Sequence, residues 1–273
     1  MIQKILVLLL VASALVFTAC EKDPVLPGPT QVLQQPNPLP INALVEQVKW
    51  SENEFLAATY DAQKRLNQWR IQWQYVQNDP TKIRAITYAF QYDSQGKVTE
   101  INYTNNFKVN VFYNDQLVEK AQELYPGGEV LNDYTYLYNN KRIIGIIRKA
   151  ANDPGEVPTT YKYEFGYDDK GNLNQIKTLE QLPQPVNGNL YKLLETTTYS
   201  DFDDKVNPLH WQLQFPYLPQ VRWQFNNPRR KEVKIEGGTT SVRTYAYVYN
   251  GQGLPTELRE TIDGATRTAE ISY

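Results

Sequence analysis

The stretch Tyr161-Lys162-Tyr163-Glu164-Phe165-Gly166-Tyr167-Asp168-Asp169-Lys170-Gly171 holds the two signals from which the fold can be read. Aromatic residues at 161, 163, 165 and 167 alternate with Lys162, Glu164 and Gly166. A period of two with aromatic enrichment marks a strand that has one face in a core. Asp168 then takes the first position of a type I turn, where its carboxylate caps the backbone. Gly171 takes the fourth, where a bulged hairpin needs φ > 0.

The same two signals recur outward in both directions. Trp69, Ile71, Trp73 and Tyr75 alternate with Arg70, Gln72 and Gln74. Tyr88, Phe90 and Tyr92 repeat the pattern, as do Tyr134, Tyr136 and Tyr138, and Tyr245, Tyr247 and Tyr249. The turns Tyr92-Asp93-Ser94-Gln95-Gly96 and Tyr249-Asn250-Gly251-Gln252-Gly253 match the first one. Copies lacking the Gly stand at Tyr60-Asp61, Tyr113-Asn114, Tyr138-Asn139 and Phe202-Asp203. Asp263-Gly264 reads as a two-residue hairpin turn, and Gly127-Gly128 and Gly237-Gly238 as further turns. No segment sustains a 3.6-residue period, so no helix is expected.

Between these turns lie roughly sixteen segments of strand length, and an open twisted sheet rarely exceeds about ten strands. The expected fold is therefore all-β, a long antiparallel meander curling into a barrel-like or wrapped sheet. Its aromatic face should lie inside and its Lys/Glu/Gln/Thr face in water, which makes a soluble domain the expectation rather than a membrane-spanning barrel with an apolar outer band.

The Tyr-Asp-x-x-Gly unit resembles the YD repeats of Rhs-type shell proteins. Over residues 42–273 the chain more fully resembles a family of uncharacterised Bacteroidetes lipoproteins with a β-rich, porin-like domain. The resemblance rests on the run Tyr245–Tyr273, on Phe202-Asp203-Asp204-Lys205-Val206-Asn207-Pro208, and on Asn226-Asn227-Pro228. It implies architecture and envelope location, and no activity.

The N-terminus reads as an export signal. Lys4 precedes an apolar run of thirteen residues, Ile5 to Phe17, broken only by Ser13. That is too short to span a bilayer, which takes about 20 residues. Phe17-Thr18-Ala19-Cys20 resembles the bacterial lipobox, which implies cleavage after residue 19 and lipidation of Cys20. Two or three acyl chains, at ~0.8 kcal/mol per buried CH₂, would anchor the protein stably. Glu21 and Asp23 resemble the surface-export signals of Bacteroidetes lipoproteins. Six of the 17 prolines lie between Asp23 and Pro40. Such a segment favours extended polyproline II, a tether reaching up to ~50–60 Å. The expected organisation is a signal peptide at 1–19, lipidated Cys and tether at 20–41, and a β domain at 42–273.

Composition removes several function classes. The 273 residues include 28 Lys+Arg against 30 Asp+Glu, one His, one Cys and one Met. A net charge of −2 lacks the basic excess of a nucleic-acid binder. One Cys and one His supply neither a disulfide framework nor a Cys/His metal cluster. No cofactor and no catalytic group is expected.

The candidate binding residues are Trp211, Trp223 and His210, in or beside the proline-flanked stretch 200–219. Loops there are expected, and loops carry function more often than strands do. Of the other tryptophans, Trp50, Trp69 and Trp73, the alternating Trp69 and Trp73 fit core positions. Asp201, Asp203 and Asp204 are weak candidates for a cation, because calcium takes six to eight oxygens and no EF-hand spacing is present. Asp168-Asp169 reads as turn capping. The expected function is a lipid-anchored envelope protein on the cell surface or periplasmic face, binding a glycan or an envelope protein without catalysis. A carboxylate-dependent polysaccharide hydrolase and a structural or adhesion scaffold are the alternatives.

Overall fold

A computed structural model describes residues 43–76, 79, 81–151, 158–209, 217–218 and 221–273. The signal segment, Cys20 and the proline-rich stretch lie outside these residues, as do His210 and Trp211. The described residues are all-β, with one 3₁₀ turn at Thr104–Asn106. The first eight strands are β1 (Gln47–Ser51), β2 (Glu54–Tyr60), β3 (Leu66–Gln74), β4 (Ile83–Tyr92), β5 (Val98–Tyr103), β6 (Phe107–Asn114), β7 (Leu117–Leu124) and β8 (Val130–Asn139). The second eight are β9 (Arg142–Ala150), β10 (Thr159–Tyr167), β11 (Leu173–Val186), β12 (Asn189–Ser200), β13 (Arg230–Ile235), β14 (Thr240–Tyr249), β15 (Pro255–Ile262) and β16 (Ala265–Ser272). Each pairs antiparallel with the next, and β1 pairs with β16 through Val48 opposite Ile271. The sheet is a closed barrel, which leaves no strand edge to attract another chain.

Because the repeating unit is a whole hairpin, the Tyr-Asp turns all fall on one rim. Residues 61–65, 93–97, 115–116, 140–141, 168–172 and 250–254 form this tyrosine rim. The chain also arrives at this rim, through the buried Ala43 and Val45. The carboxylate of Asp93 accepts the backbone N–H groups of Gln95 and Lys97, both at 2.9 Å. Asn250 does the same for Gln252 and Leu254 at 3.0 Å. Gly96, Gly171 and Gly253 occupy the fourth position at φ of 81°, 90° and 75°. The strand register shifts at the tyrosine before each of these turns, which is the bulge.

The copies without glycine solve the same problem in two ways. At 113–114 and 138–139 the turn shrinks to two residues, with Asp115, Asn140 and Lys141 at positive φ. At Tyr60-Asp61 the longer turn is kept and Lys64 takes φ of 62°. A lysine there is strained against its own carbonyl, so Lys64→Gly is expected to raise stability by about 0.5–1 kcal/mol. A urea midpoint that does not rise would contradict this.

The tyrosines are clasps as well as core residues. Tyr92, Tyr138 and Tyr167 donate their hydroxyls, each at 2.8 Å, to the carbonyls of Leu66, Val118 and Ile143 in the preceding hairpin. Tyr60 reaches Val45 O at 2.9 Å, and Tyr273 reaches Pro255 O at 2.8 Å. Arg65 lies over the Tyr92 ring at 4.3 Å and Arg142 over Tyr167 at 4.4 Å. Burial pushes Tyr92 and Tyr138 up to about 12.

The outer wall carries the cross-strand ion pairs Lys108–Glu100 at 2.8 Å and Lys120–Asp133 at 3.1 Å, and Lys162–Glu164 at 2.9 Å along β10. A lysine on a lipid-facing wall at the bilayer midplane would cost roughly 2–4 kcal/mol. This wall suits water.

Sixteen strands enclose a lumen too wide for side chains from opposite walls to fill. The described residues of the connection from β12 to β13, 201–209, 217–218 and 221–229, supply material for it. Its Trp223 is buried edge-on against Phe165 at 5.1 Å, and the Trp223 carbonyl accepts Leu173 N–H at 2.8 Å. Asn172 is fully buried, and its side-chain oxygen accepts Phe225 N–H at 2.8 Å and Asn226 N–H at 2.9 Å. Asp203 receives Asn227 N–H at 3.1 Å and the Tyr249 hydroxyl. Gly171 is the close approach: a Cβ there would stand 2.8 Å from the Phe225 ring.

Candidate functional site

Residues directly opposite each other in the register share a face, so the inner wall can be followed strand by strand. Trp69 faces Tyr88, Tyr88 faces Tyr103, and Tyr103 faces Phe107. Val109 faces Glu123, which faces Asn132. Tyr134 faces Arg148, and Arg148 faces Tyr161. Tyr245 faces Glu260, and Glu260 faces Arg267.

The wall divides into two halves. Toward the tyrosine rim it is dry, with Val98, Val118 and Leu173 at 2%, 3% and 0% exposure. Toward the opposite rim it carries Glu123, Arg148, Arg243, Glu260, Arg267 and Glu54. There the Arg243 and Arg267 side chains are 40% and 46% exposed, so water reaches this end of the lumen.

Two polar clusters are built there. Glu123, 6% exposed, accepts four side-chain donors. The Tyr103 hydroxyl and the Tyr217 hydroxyl (2.9 Å) meet one oxygen. Asn132 Nδ2 (2.6 Å) and the Tyr134 hydroxyl (3.0 Å) meet the other. Tyr217 belongs to the 201–229 connection, so this carboxylate pins that segment inside the barrel. Burial is the first cause that raises the Tyr134 and Tyr217 hydroxyls well above the usual phenol value; Glu123 comes next for Tyr134, and Tyr134 and then Glu123 for Tyr217. In the second cluster Glu260, 5% exposed, meets Arg243 at 3.0 Å and Arg267 at 2.5 Å. Arg267 also lies 3.7 Å from Glu54 and over the Trp50 ring at 4.9 Å. Nearby, burial lowers the Lys231 ammonium, and Arg243 adds to the effect.

An aromatic run joins the dry half to the open rim. Trp69–Tyr88, Tyr88–Tyr103, Tyr103–Phe107 and Phe107–Tyr125 ring centroids are 5.8, 5.3, 5.2 and 5.8 Å apart. It starts at the buried Trp69 and ends at Tyr125, 41% exposed. Tyr103 and Phe107 are stacked at 21° and the other pairs are tilted; at the rimward end such rings offer apolar faces next to hydrogen-bonding groups.

The residues singled out by sequence are not assembled here. Trp223 is 1% exposed and fills the core, so it offers no platform to a ligand. Its place beside prolines suggested a surface loop, but the connection turns inward to fill the lumen. His210 and Trp211 lie outside the described residues. Asp201, Asp203 and Asp204 diverge: Asp203 holds Asn227 and Tyr249, while Asp204 is exposed beside Lys205 at 3.4 Å. Among the described residues no three His, Cys, Asp or Glu side chains group as metal ligands. The inner charges correct the expectation of a purely aromatic inner face. Their signal was parity: Arg243 alternates in phase with Tyr245, Tyr247 and Tyr249, as Arg84 does with Ile86 and Tyr88.

No protein-family model matches the chain, and no curated protein matches it. Among solved structures, it is similar to a porin-like protein from Bacteroides vulgatus ATCC 8482, with a TM-score of 0.56 and 15% identity over 84% of this chain and 98% of that one. A porin-like protein from Bacteroides uniformis ATCC 8492 aligns with a TM-score of 0.52 and 13% identity, over 84% of this chain and 94% of that one. A chain of the TcdB2-TccC3-Cdc42 complex aligns over 12% of its length with a TM-score of 0.24, too low to bear on the fold. At these identities the two Bacteroides proteins share with this chain a fold, and the fold alone.

Proposed function

We propose that the protein is a cell-envelope barrel, held to the outer membrane by a lipidated Cys20, that binds a glycan in the charged half of its lumen without catalysis. The observation that carries this reading is the rimward end of the aromatic run, the half-buried Tyr103 and Phe107 and the exposed Tyr125, set beside hydrogen-bonding and charged groups. Sugar rings present apolar faces ringed by hydroxyls, and this wall has counterparts for both. The lipobox-like Phe17-Thr18-Ala19-Cys20 supports the anchor, and the porin-like Bacteroides neighbours are consistent with an envelope setting.

Carboxylate-dependent hydrolysis is the competing reading, since the lumen holds Glu54 and Glu260 near one arginine. Glycoside hydrolysis needs a carboxyl group placed to give up a proton. Both oxygens of Glu260 are held by arginines, and both of Glu123 by hydroxyl or amide donors. That arrangement favours binding.

The test is a glycan array with Tyr125→Ala as the control. Retention of an oligosaccharide by wild type, weakened at least tenfold in the variant, is expected. Release of reducing ends would turn the reading toward hydrolysis, and no retained sugar would turn it toward a scaffold. Cys20→Ala should move the protein from the membrane pellet to the supernatant; continued pelleting would remove the lipid anchor. Protease shaving of intact cells separates the surface from the periplasmic face.

A further inference from the structure

We infer that Arg148 is an anion-recognising group of the lumen, and that the sugar bound there carries a carboxylate or a sulfate. This deepens the glycan reading and rests on it.

Arg148 lies on the inner wall between Tyr134 and Tyr161. The inner arginines Arg243 and Arg267 are neutralised by Glu260 and Glu54. Arg148 forms no ion pair among the described residues, and its Nε–H is buried without a hydrogen-bond partner. Its guanidinium instead stands 4.6 Å from the centroid of the Tyr161 ring. A guanidinium stays charged at any ordinary pH and presents five donors in a planar fork. Buried donors in folded proteins are nearly always satisfied, and an orphan calls for an explanation. An anion seated at the fork supplies it, through the bidentate geometry that carboxylates and sulfates offer.

The surroundings fit a sugar acid rather than a bare ion. Tyr161 presents its ring face to the arginine, Tyr134 stands opposite it on the other neighbouring strand, and the Tyr134 hydroxyl is part of the Glu123 cluster. The last inward residue of β9 beyond Arg148 is Ala150, so no long side chain of that strand covers the guanidinium from the open rim. Glu123 stands in the neighbouring row on the open-rim side, since it pairs with Asn132 and Asn132 with Ala150, and both its oxygens are already filled by donors, so the anion is left to Arg148. The anionic group is seated at Arg148, with the remaining rings of the oligosaccharide directed toward the rim and Tyr125.

Calorimetric titration of the folded protein with three probes tests this: an oligogalacturonate, its fully methyl-esterified form, and a sulfated galactan oligosaccharide. Wild type should bind at least one acidic probe tenfold or more tightly than the neutral ester, with the preference shrinking as salt rises. The preferred acidic probe tells carboxylate from sulfate. Arg148→Gln should abolish the preference while leaving the ester's affinity in place, and Arg148→Lys should retain part of it. Equal affinity for acid and ester in wild type, or a preference untouched in Arg148→Gln, overturns the inference. If in that case Tyr125→Ala still weakens all three probes, the glycan reading stands and only the anion assignment falls. Binding of none of the probes removes both.

Discussion

Glu123→Ala is expected to lower the stability of the fold by about 3–5 kcal/mol. The carboxylate is 6% exposed and accepts hydrogen bonds from Tyr103, Tyr134, Tyr217 and Asn132. Its removal strands four donors in a site that water reaches poorly, and each orphan costs about 1–3 kcal/mol before relaxation. Tyr217→Phe removes a single hydroxyl and should cost about 1 kcal/mol. The two changes share a contact, so a double-mutant cycle should show a coupling of roughly 0.5–3 kcal/mol. Urea unfolding of the four proteins measures this. Additive losses would mean that Glu123 does not pin the inner connection.

Alkaline unfolding is the second large effect. Burial is the leading cause in raising Tyr136, Tyr167 and Tyr247 above the ordinary phenol value, and it takes Tyr245 up to about 12. A tyrosine in the unfolded chain titrates near ~10. Above that pH the unfolded chain gives up protons that the native barrel still holds, so stability falls as pH rises. The stabilisation is complete below the unfolded value and is lost as pH climbs toward the folded ones. Each fully retained proton contributes a slope of ~1.4 kcal/mol per pH unit, so three closed-off tyrosines give roughly 4 kcal/mol per unit. A cooperative transition is therefore expected between about pH 11 and 12. Tyrosinate absorbance and circular dichroism, followed in one titration, should change together. Tyrosines that ionise singly near their ordinary value while the β signal persists would contradict it.

The candidate site was less legible than the fold, for a physical reason visible in single residues. Alternation assigns a residue to a face, and it placed Trp69, Tyr88 and Tyr163 correctly in the core. It does not say what an in-phase charge will meet. Glu123 sits on the same face as Ala121 and looks unremarkable in sequence, because its partner Tyr217 is 94 residues away. Trp223 misled in the opposite sense. Proline neighbours signal an irregular backbone, but irregular chain can lie in a lumen when side chains such as Asn172 satisfy its amide groups.

What the sequence determined by itself is the hairpin. Each strand and turn depends on side-chain parity and on the φ demands of four or five consecutive residues, and both are local. The tertiary structure decided three further matters: that β1 meets β16 and closes the sheet, that Tyr217 and Trp223 of the β12–β13 connection pack into the space so enclosed, and that charge collects at one end of it. Closure brings Gln47 opposite Ser272, and filling brings Trp223 to Leu173. These contacts join residues far apart in the chain, and they exist only once the barrel has set its own diameter.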